Sequence, residues 1–176
     1  MLHATQEAIR RQFLELYKHK PYDRITVKEL CAQTPVARTT FYSYYQSIDD
    51  VKAAIEDALI SDLSTVSEEH RDAFDTRAPA YETFGRIRTH WSDLYTLVIV
   101  QPSLSLLTKW KEAIVQHFRE WNPTKTHVPN FDLVAYSTAS AILGAYEFWL
   151  EHPDEMAMDD LCDLVVKEMD ALNNAL

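Results

Sequence analysis

Residues 25–51, ITVKELCAQTPVARTTFYSYYQSIDDV, are the stretch on which the fold turns. Thr26 stands where a helix begins and Glu29 follows three residues later, so Thr26-Val27-Lys28-Glu29 has the form of a capping box. Val27, Leu30 and Cys31 fall at i, i+3 and i+4, on one face of that helix. Thr34-Pro35 ends it, because the residue before a proline is pushed out of the α region. A second helix then runs from about Ala37 to Gln46, with Ala37, Phe41 and Tyr45 as its apolar stripe. The positions between them, Arg38, Thr39, Thr40, Tyr42, Ser43 and Tyr44, all carry hydrogen-bond donors. One face is thus anchored in a core, while the rest offers a guanidinium, short hydroxyls and phenols. This is the chemistry of a helix lying in a DNA major groove, where Arg reads guanine edges, Thr meets thymine methyls and hydroxyls bond phosphates. A third helix opens at once, with Ser47 or Asp49 as its cap and Asp49 and Asp50 suited to its positive N-terminal dipole.

The stretch resembles the N-terminal helix-turn-helix of the TetR family of bacterial transcriptional regulators. Thr26, Val27, Glu29, Cys31, Val36, Thr39, Thr40, Phe41, Tyr42, Tyr44, Tyr45, Ser47, Asp49 and Val51 carry the resemblance. The aromatic run followed by a new acidic helix start is its most specific part. The resemblance implies an all-α fold of about nine helices, a three-helix head followed by a helical bundle. The head would be residues 1–47, binding DNA, and the body residues 48–176, for ligand binding and dimerisation. It implies a double-stranded DNA operator as partner, contacted by Thr26, Arg38, Thr39, Thr40, Tyr42, Ser43 and Tyr44. Three positions depart from the family pattern. Thr34-Pro35 fills a turn that usually holds a small residue and Gly, Ala37 fills a slot often held by Ser or Asn, and Ile48 replaces a phosphate-binding lysine.

Working outward, the 176-residue chain has 47% apolar residues, enough for a sizeable core. It contains only two glycines, Gly85 and Gly144, too few for the turns of a sheet protein, so composition also points to an all-α fold. Cys31 and Cys162 form no CxxC pair and read as reduced core thiols of a cytoplasmic protein. No signal peptide is evident, and the uncharged runs 94–108 and 133–146 fall short of the roughly 20 apolar residues of a membrane span. The net charge of −10 is unevenly spread. Residues 1–52 carry eight Lys/Arg against six acids, a surplus of +2, and the remainder carries nine against 21, a deficit of −12. The basic part coincides with the helix-turn-helix, as phosphate contact requires.

Ahead of this stretch, Ile9, Phe13, Leu16 and Tyr17 mark an amphipathic helix from His3 to about Lys20, stopped by Pro21. After it, the third helix continues to about Val66 on Val51, Ala54, Ile55, Ala58, Leu59 and Leu63. Residues 67–80 read as a loop or frayed end closing at Pro79. A helix is expected over Tyr81–Val100 and another over Ser103–Trp121, separated by Pro102. The segment NPTKTHVPN, residues 122–130, is a loop. Helices over Phe131–Glu151 and from Asp159 or Asp160 to Ala171 complete the chain.

Small residues on helix 131–151 permit close approach of a partner helix. The ending GAYEFWL, residues 144–150, also resembles the C-terminal body of a shorter TetR subgroup. In that family the last two helices pair with their twofold mates. The resemblance places Ala141, Gly144, Ala145, Leu161, Leu164, Val165 and Glu168 at a homodimer interface. Trp91, Tyr95, Trp110, His117 and Tyr136 combine apolar bodies with polar handles. They line either an effector pocket or an ordinary core.

No Glu-x-x-His, HExxH, Walker loop or Gly-x-Ser-x-Gly occurs, so no catalytic residue, metal ligand or cofactor is assigned and no enzyme is expected. Two functions remain. One is a dimeric DNA-binding regulator, a repressor relieved by a small hydrophobic effector. The other is a TetR-like protein with weakened DNA binding that acts through a protein partner, a reading motivated by Ile48 and the small basic surplus.

Overall fold

Helices form where apolar residues recur at helical spacing and stop where a cap or a proline intervenes. The computed structural model describes residues 4–65 and 77–175, with side chains through 171. All regular elements among them are helical. α1 spans Ala4–His19, α2 Val27–Gln33, α3 Arg38–Tyr42 and α4 Ile48–Leu63. α5 spans Arg77–Thr89, α6 Trp91–Tyr95, α7 Leu104–Trp121, α8 Phe131–Glu151 and α9 Met158–Ala175. The expected loop over 67–80 lies largely outside the described residues. Pro79 falls inside the first turn of α5, where its missing N–H leaves no intrahelical bond unmade, so it does not end the preceding loop as expected.

α1 lays Ile9, Phe13, Leu16 and Tyr17 into the core, as its periodicity requires. Leu30 of α2 and Phe41 of α3 are fully buried beneath it. The expected single helix over Tyr81–Val100 is divided. It bends at His90 and ends in a π-helical turn, Thr96–Val100, closed by the Gln101 N–H on the Thr96 carbonyl at 3.0 Å. The wider turn puts Thr96, Leu97 and Val98 inside together. The Thr96 hydroxyl is satisfied there by the Ser92 carbonyl at 2.7 Å. α7 packs on α4 and α8, α8 on α6 and α9, and α9 on α5, with the buried residues from Ile9 to Met169 in one continuous cluster.

Two polar joints hold the end of α1 and the middle of α4 to the later part of the chain. The Gln101 amide donates to the Tyr17 and Lys20 carbonyls at 2.9 and 3.1 Å, and its oxygen accepts from the Tyr22 N–H at 2.7 Å. It thereby satisfies backbone groups left open where α1 ends. The second joint is Glu56 of α4, whose side chain is 2% exposed. It accepts from Lys52 at 2.5 Å, Ser103 at 2.6 Å, Ser105 at 2.8 Å and Lys109 at 3.2 Å. Burial alone would raise its pKa, but the Lys52, Ser103 and Ser105 hydrogen bonds outweigh it and hold the carboxyl below its ordinary value.

Candidate nucleic-acid interface

The helix expected to enter a DNA groove is shorter than its periodicity suggests. α3 is helical over Arg38–Tyr42 rather than 37–46. Ala37 occupies the N-cap and provides no side-chain hydrogen bond, and the chain leaves the helix through Ser43. The Ser43 hydroxyl bonds back to the Thr40 carbonyl at 2.7 Å, a local alternative to continuing the helix. Phe41 and Tyr45 are buried as expected, with ring centroids 5.8 Å apart, whereas Ala37 is exposed. Arg38, Thr39, Tyr42 and Ser43 face solvent, Tyr42 at 56% exposure, while Thr40 and Tyr44 are half-buried.

α2 is fixed by the Thr26 hydroxyl accepting from the Glu29 N–H at 3.2 Å. The expected return bond is replaced. The Glu29 carboxylate binds Lys20 of the preceding segment at 2.5 Å, tying α2 to the end of α1. Ser47 caps α4 by accepting from the Asp50 N–H at 3.1 Å, and Asp50 accepts from the Gln46 N–H at 2.8 Å. Ile48, in the slot of the family lysine, is half-buried and packs on the core. Tyr22 donates to Asp49, and burial, followed by that bond, pushes its phenol up.

The eight basic residues of 1–52 divide into two groups. Lys18, Lys20, Arg24 and Lys52 are ion-paired with Glu15, Glu29, Asp23 and Glu56. Arg10, Arg11, Lys28 and Arg38 have no carboxylate partner among the described residues, and the last three are exposed. The surplus that can meet phosphates is therefore narrower than a charge count suggests.

In the body, a cavity of about 60 Å³ lies between α4, α5, α7, α8 and α9, lined by residues including Leu63, Thr83, Trp110, His117, Trp121 and Tyr146. Of the five residues expected at a pocket, Trp110 and His117 are there. Trp91 instead packs edge-on against Trp149 at 5.0 Å, and Tyr95 and Tyr136 are each 39% exposed. Trp110 stacks on Tyr146 at 5.3 Å, and His117 stacks on Trp121 at 5.6 Å. Burial lowers the His117 pKa, favouring the neutral ring, and pushes the Tyr146 phenol up. Tyr146, Trp121 and Ile142 also line it, although their spacing in the sequence reads equally as core. At about 60 Å³ the cavity is far below the ~300 Å³ of a drug-sized site. A molecule of that size would enter only if the helices around it moved apart.

The outer face of α8 exposes Leu133, Tyr136, Ala141, Gly144 and Phe148, with Leu133 at 67% and Phe148 at 43%. Leu164 of α9 is also exposed, and Ala145 and Glu168 are half-buried. Leu161 and Val165, expected at the same interface, point inward and are buried within the protomer. A Cβ built on Gly144 would meet nothing within 4 Å. Nothing inside the protomer therefore demands this glycine, which in mid-helix costs about 1 kcal/mol relative to Ala.

Among the described residues no cluster of His, Cys, Asp and Glu could hold a metal, and no helix is long and apolar enough to cross a membrane. Cys31 and Cys162 are not joined by a disulfide.

No family model matches the sequence, and no curated protein matches it. Solved structures do. A candidate TetR-family transcriptional regulator from Syntrophomonas wolfei superposes with a TM-score of 0.68 at 16% identity, over 98% of this chain and 96% of that one. The dihydroxyacetone kinase operon activator DhaS gives 0.61 at 14% identity, over 98% and 96%. A candidate transcriptional regulator from Pseudomonas aeruginosa PAO1 gives 0.59 at 13% identity, over 95% and 89%.

Proposed function

We propose, for a chain that has the fold of TetR-type transcriptional regulators, that it is a homodimeric DNA-binding regulator, acting in the cytoplasm as a repressor that a small hydrophobic effector relieves. Residues 1–47 serve as the DNA-binding head and 48–176 as the ligand-binding and dimerisation body. The observation that carries the reading is α3 itself. Its buried Phe41 and adjoining Tyr45 fix the element, and its opening residues Arg38 and Thr39 stand clear of the protein where base edges are read. Two such heads on a twofold dimer suit a palindromic operator.

A fluorescent duplex selected by the protein from a random-sequence pool tests this directly. Arg38→Ala is expected to cost roughly 1–3 kcal/mol in affinity and to relax preference at one base position. Tyr42→Phe should weaken selected and scrambled duplexes alike, because a phosphate carries no sequence information. Ile48→Lys should strengthen both and steepen the salt dependence by about one phosphate contact. If the native protein is folded and dimeric yet binds no duplex, the reading passes to a protein partner. Half-buried Ile48 and the four ion-paired cations of residues 1–52 favour that alternative.

The effector is assigned to the cavity beside Trp110 and Trp121. A small aromatic probe such as indole is expected to quench tryptophan fluorescence and raise the melting temperature. Stabilisation should reach about 2.7 kcal/mol at a hundredfold excess over the dissociation constant. An unchanged melting temperature at saturating indole would return Trp110 and His117 to the plain core reading.

A further inference from the structure

Position 48, just beyond the recognition element, holds Ile and offers no cation to a phosphate. Arg10 of α1 is the cation held against the end of this element. Its Nε donates to the Tyr45 hydroxyl at 2.9 Å. Tyr45 is 5% exposed and packed on Phe41, so the phenol oxygen is a fixed point just behind the recognition helix, three residues before Ile48. A guanidinium has five N–H donors. One is committed to Tyr45, and the terminal nitrogens have no other acceptor among the described residues. Arg10 itself is half-buried, with neither a carboxylate partner nor full freedom in solvent. Neighbouring Arg11 is exposed, adding to the local positive potential. A cation held at its Nε by a buried phenol, with its fork left open, keeps less rotamer freedom to lose when it meets an oxyanion.

We infer that Arg10 is a phosphate-binding residue of the DNA interface, oriented by Tyr45 as its positioning residue, and that it takes the place of the cation lost at position 48. The inference rests on the DNA-binding reading above. The first helix of a helix-turn-helix crosses the nucleic-acid backbone while the recognition helix enters the groove, which suits this division of labour.

The test measures affinity for a selected duplex, and for a scrambled one of the same composition, as a function of salt. Arg10→Gln removes the charge while keeping a hydrogen-bonding group beside Tyr45, so folding can be checked separately by thermal melting. Neutralising one phosphate contact changes the log–log salt slope by about 0.9 per protomer, so the deficit of Arg10→Gln should be about 3.5-fold larger per protomer at 50 mM than at 200 mM salt. Both duplexes should be weakened by the same factor. Arg10→Lys should retain the wild-type slope. Tyr45→Phe, which keeps the charge and loses its anchor, should lower affinity by less than Arg10→Gln with the slope unchanged. A wild-type slope in Arg10→Gln, with the native protein binding normally, overturns the role of Arg10 and leaves the DNA-binding reading standing. Absence of salt-dependent binding by the native protein overturns both.

Discussion

Replacing Glu56 by Ala is expected to destabilise the protein by about 3–5 kcal/mol, the cost of removing one partner from a buried ion pair. The carboxylate is almost wholly enclosed, and Lys52, left beside Ser103 and Ser105 with a side chain 13% exposed, would have no counter-charge. Lys109 is less affected, because it also binds Asp57 at 2.6 Å and is one-third exposed. At about 2–4 °C per kcal/mol for a chain of this size, the melting temperature should fall by roughly 10 °C, read by circular dichroism. Removing both charges with Lys52→Met and Glu56→Leu should recover much of the loss, since an apolar replacement need not satisfy a charge. A loss under about 1 kcal/mol for Glu56→Ala would mean that water reaches the carboxylate.

The same group gives stability a pH dependence of defined sign. The Glu56 pKa is lowered on folding, so its contribution is complete above the unfolded value, about 4.3, and is lost as pH falls through the lower folded value. His117 is also lowered, by burial. Its unfolded form takes up a proton first, so stability declines as pH drops below about 6.5. Acid unfolding should therefore begin with a shallow limb from His117 and steepen below pH 4 or so as Glu56 protonates. His117→Phe should remove the shallow limb and leave the steep one.

The second large effect concerns assembly. Arg introduced at Ala141 or Gly144 is expected to convert a dimer into monomers or insoluble protein, because each residue lies on the outer face of α8. In a twofold interface one substitution buries two charges, each costing several kcal/mol without a partner. The exposed Leu133, Tyr136 and Phe148 on that face are then the apolar surface that dimerisation covers. Light scattering at micromolar concentration is the measurement. A native chain that runs as a monomer would sink the proposal. Leu161→Ala should act differently, lowering the stability of the protomer by about 2–5 kcal/mol, because that side chain is fully buried inside it.

The caps at Thr26 and Ser47, the buried pair Phe41 and Tyr45, and helix Phe131–Glu151 with both its ends were legible in the sequence. Each depends on neighbours within a few residues, through a side chain reaching a nearby N–H or apolar groups recurring with the helical period. The exposed opening of α3 at Arg38 and Thr39 was legible for the same reason. Tertiary contact decided the rest. Trp91, Tyr95, Trp110 and Tyr136 are alike in sequence, but which of them borders the cavity depends on how α5 to α8 are placed against one another. Glu56 and Gln101 look like solvated polar residues until Ser103, Lys109 and the end of α1 are brought to them from 47 or more positions away. The π turn at Thr96–Val100 has no periodic signature, since it rotates three residues inward to fill the space beneath the head. Local periodicity fixes which residues share a helical face. The neighbour that covers the face is fixed by the packing of all the helices together, and so was the inward turn of Leu161 and Val165.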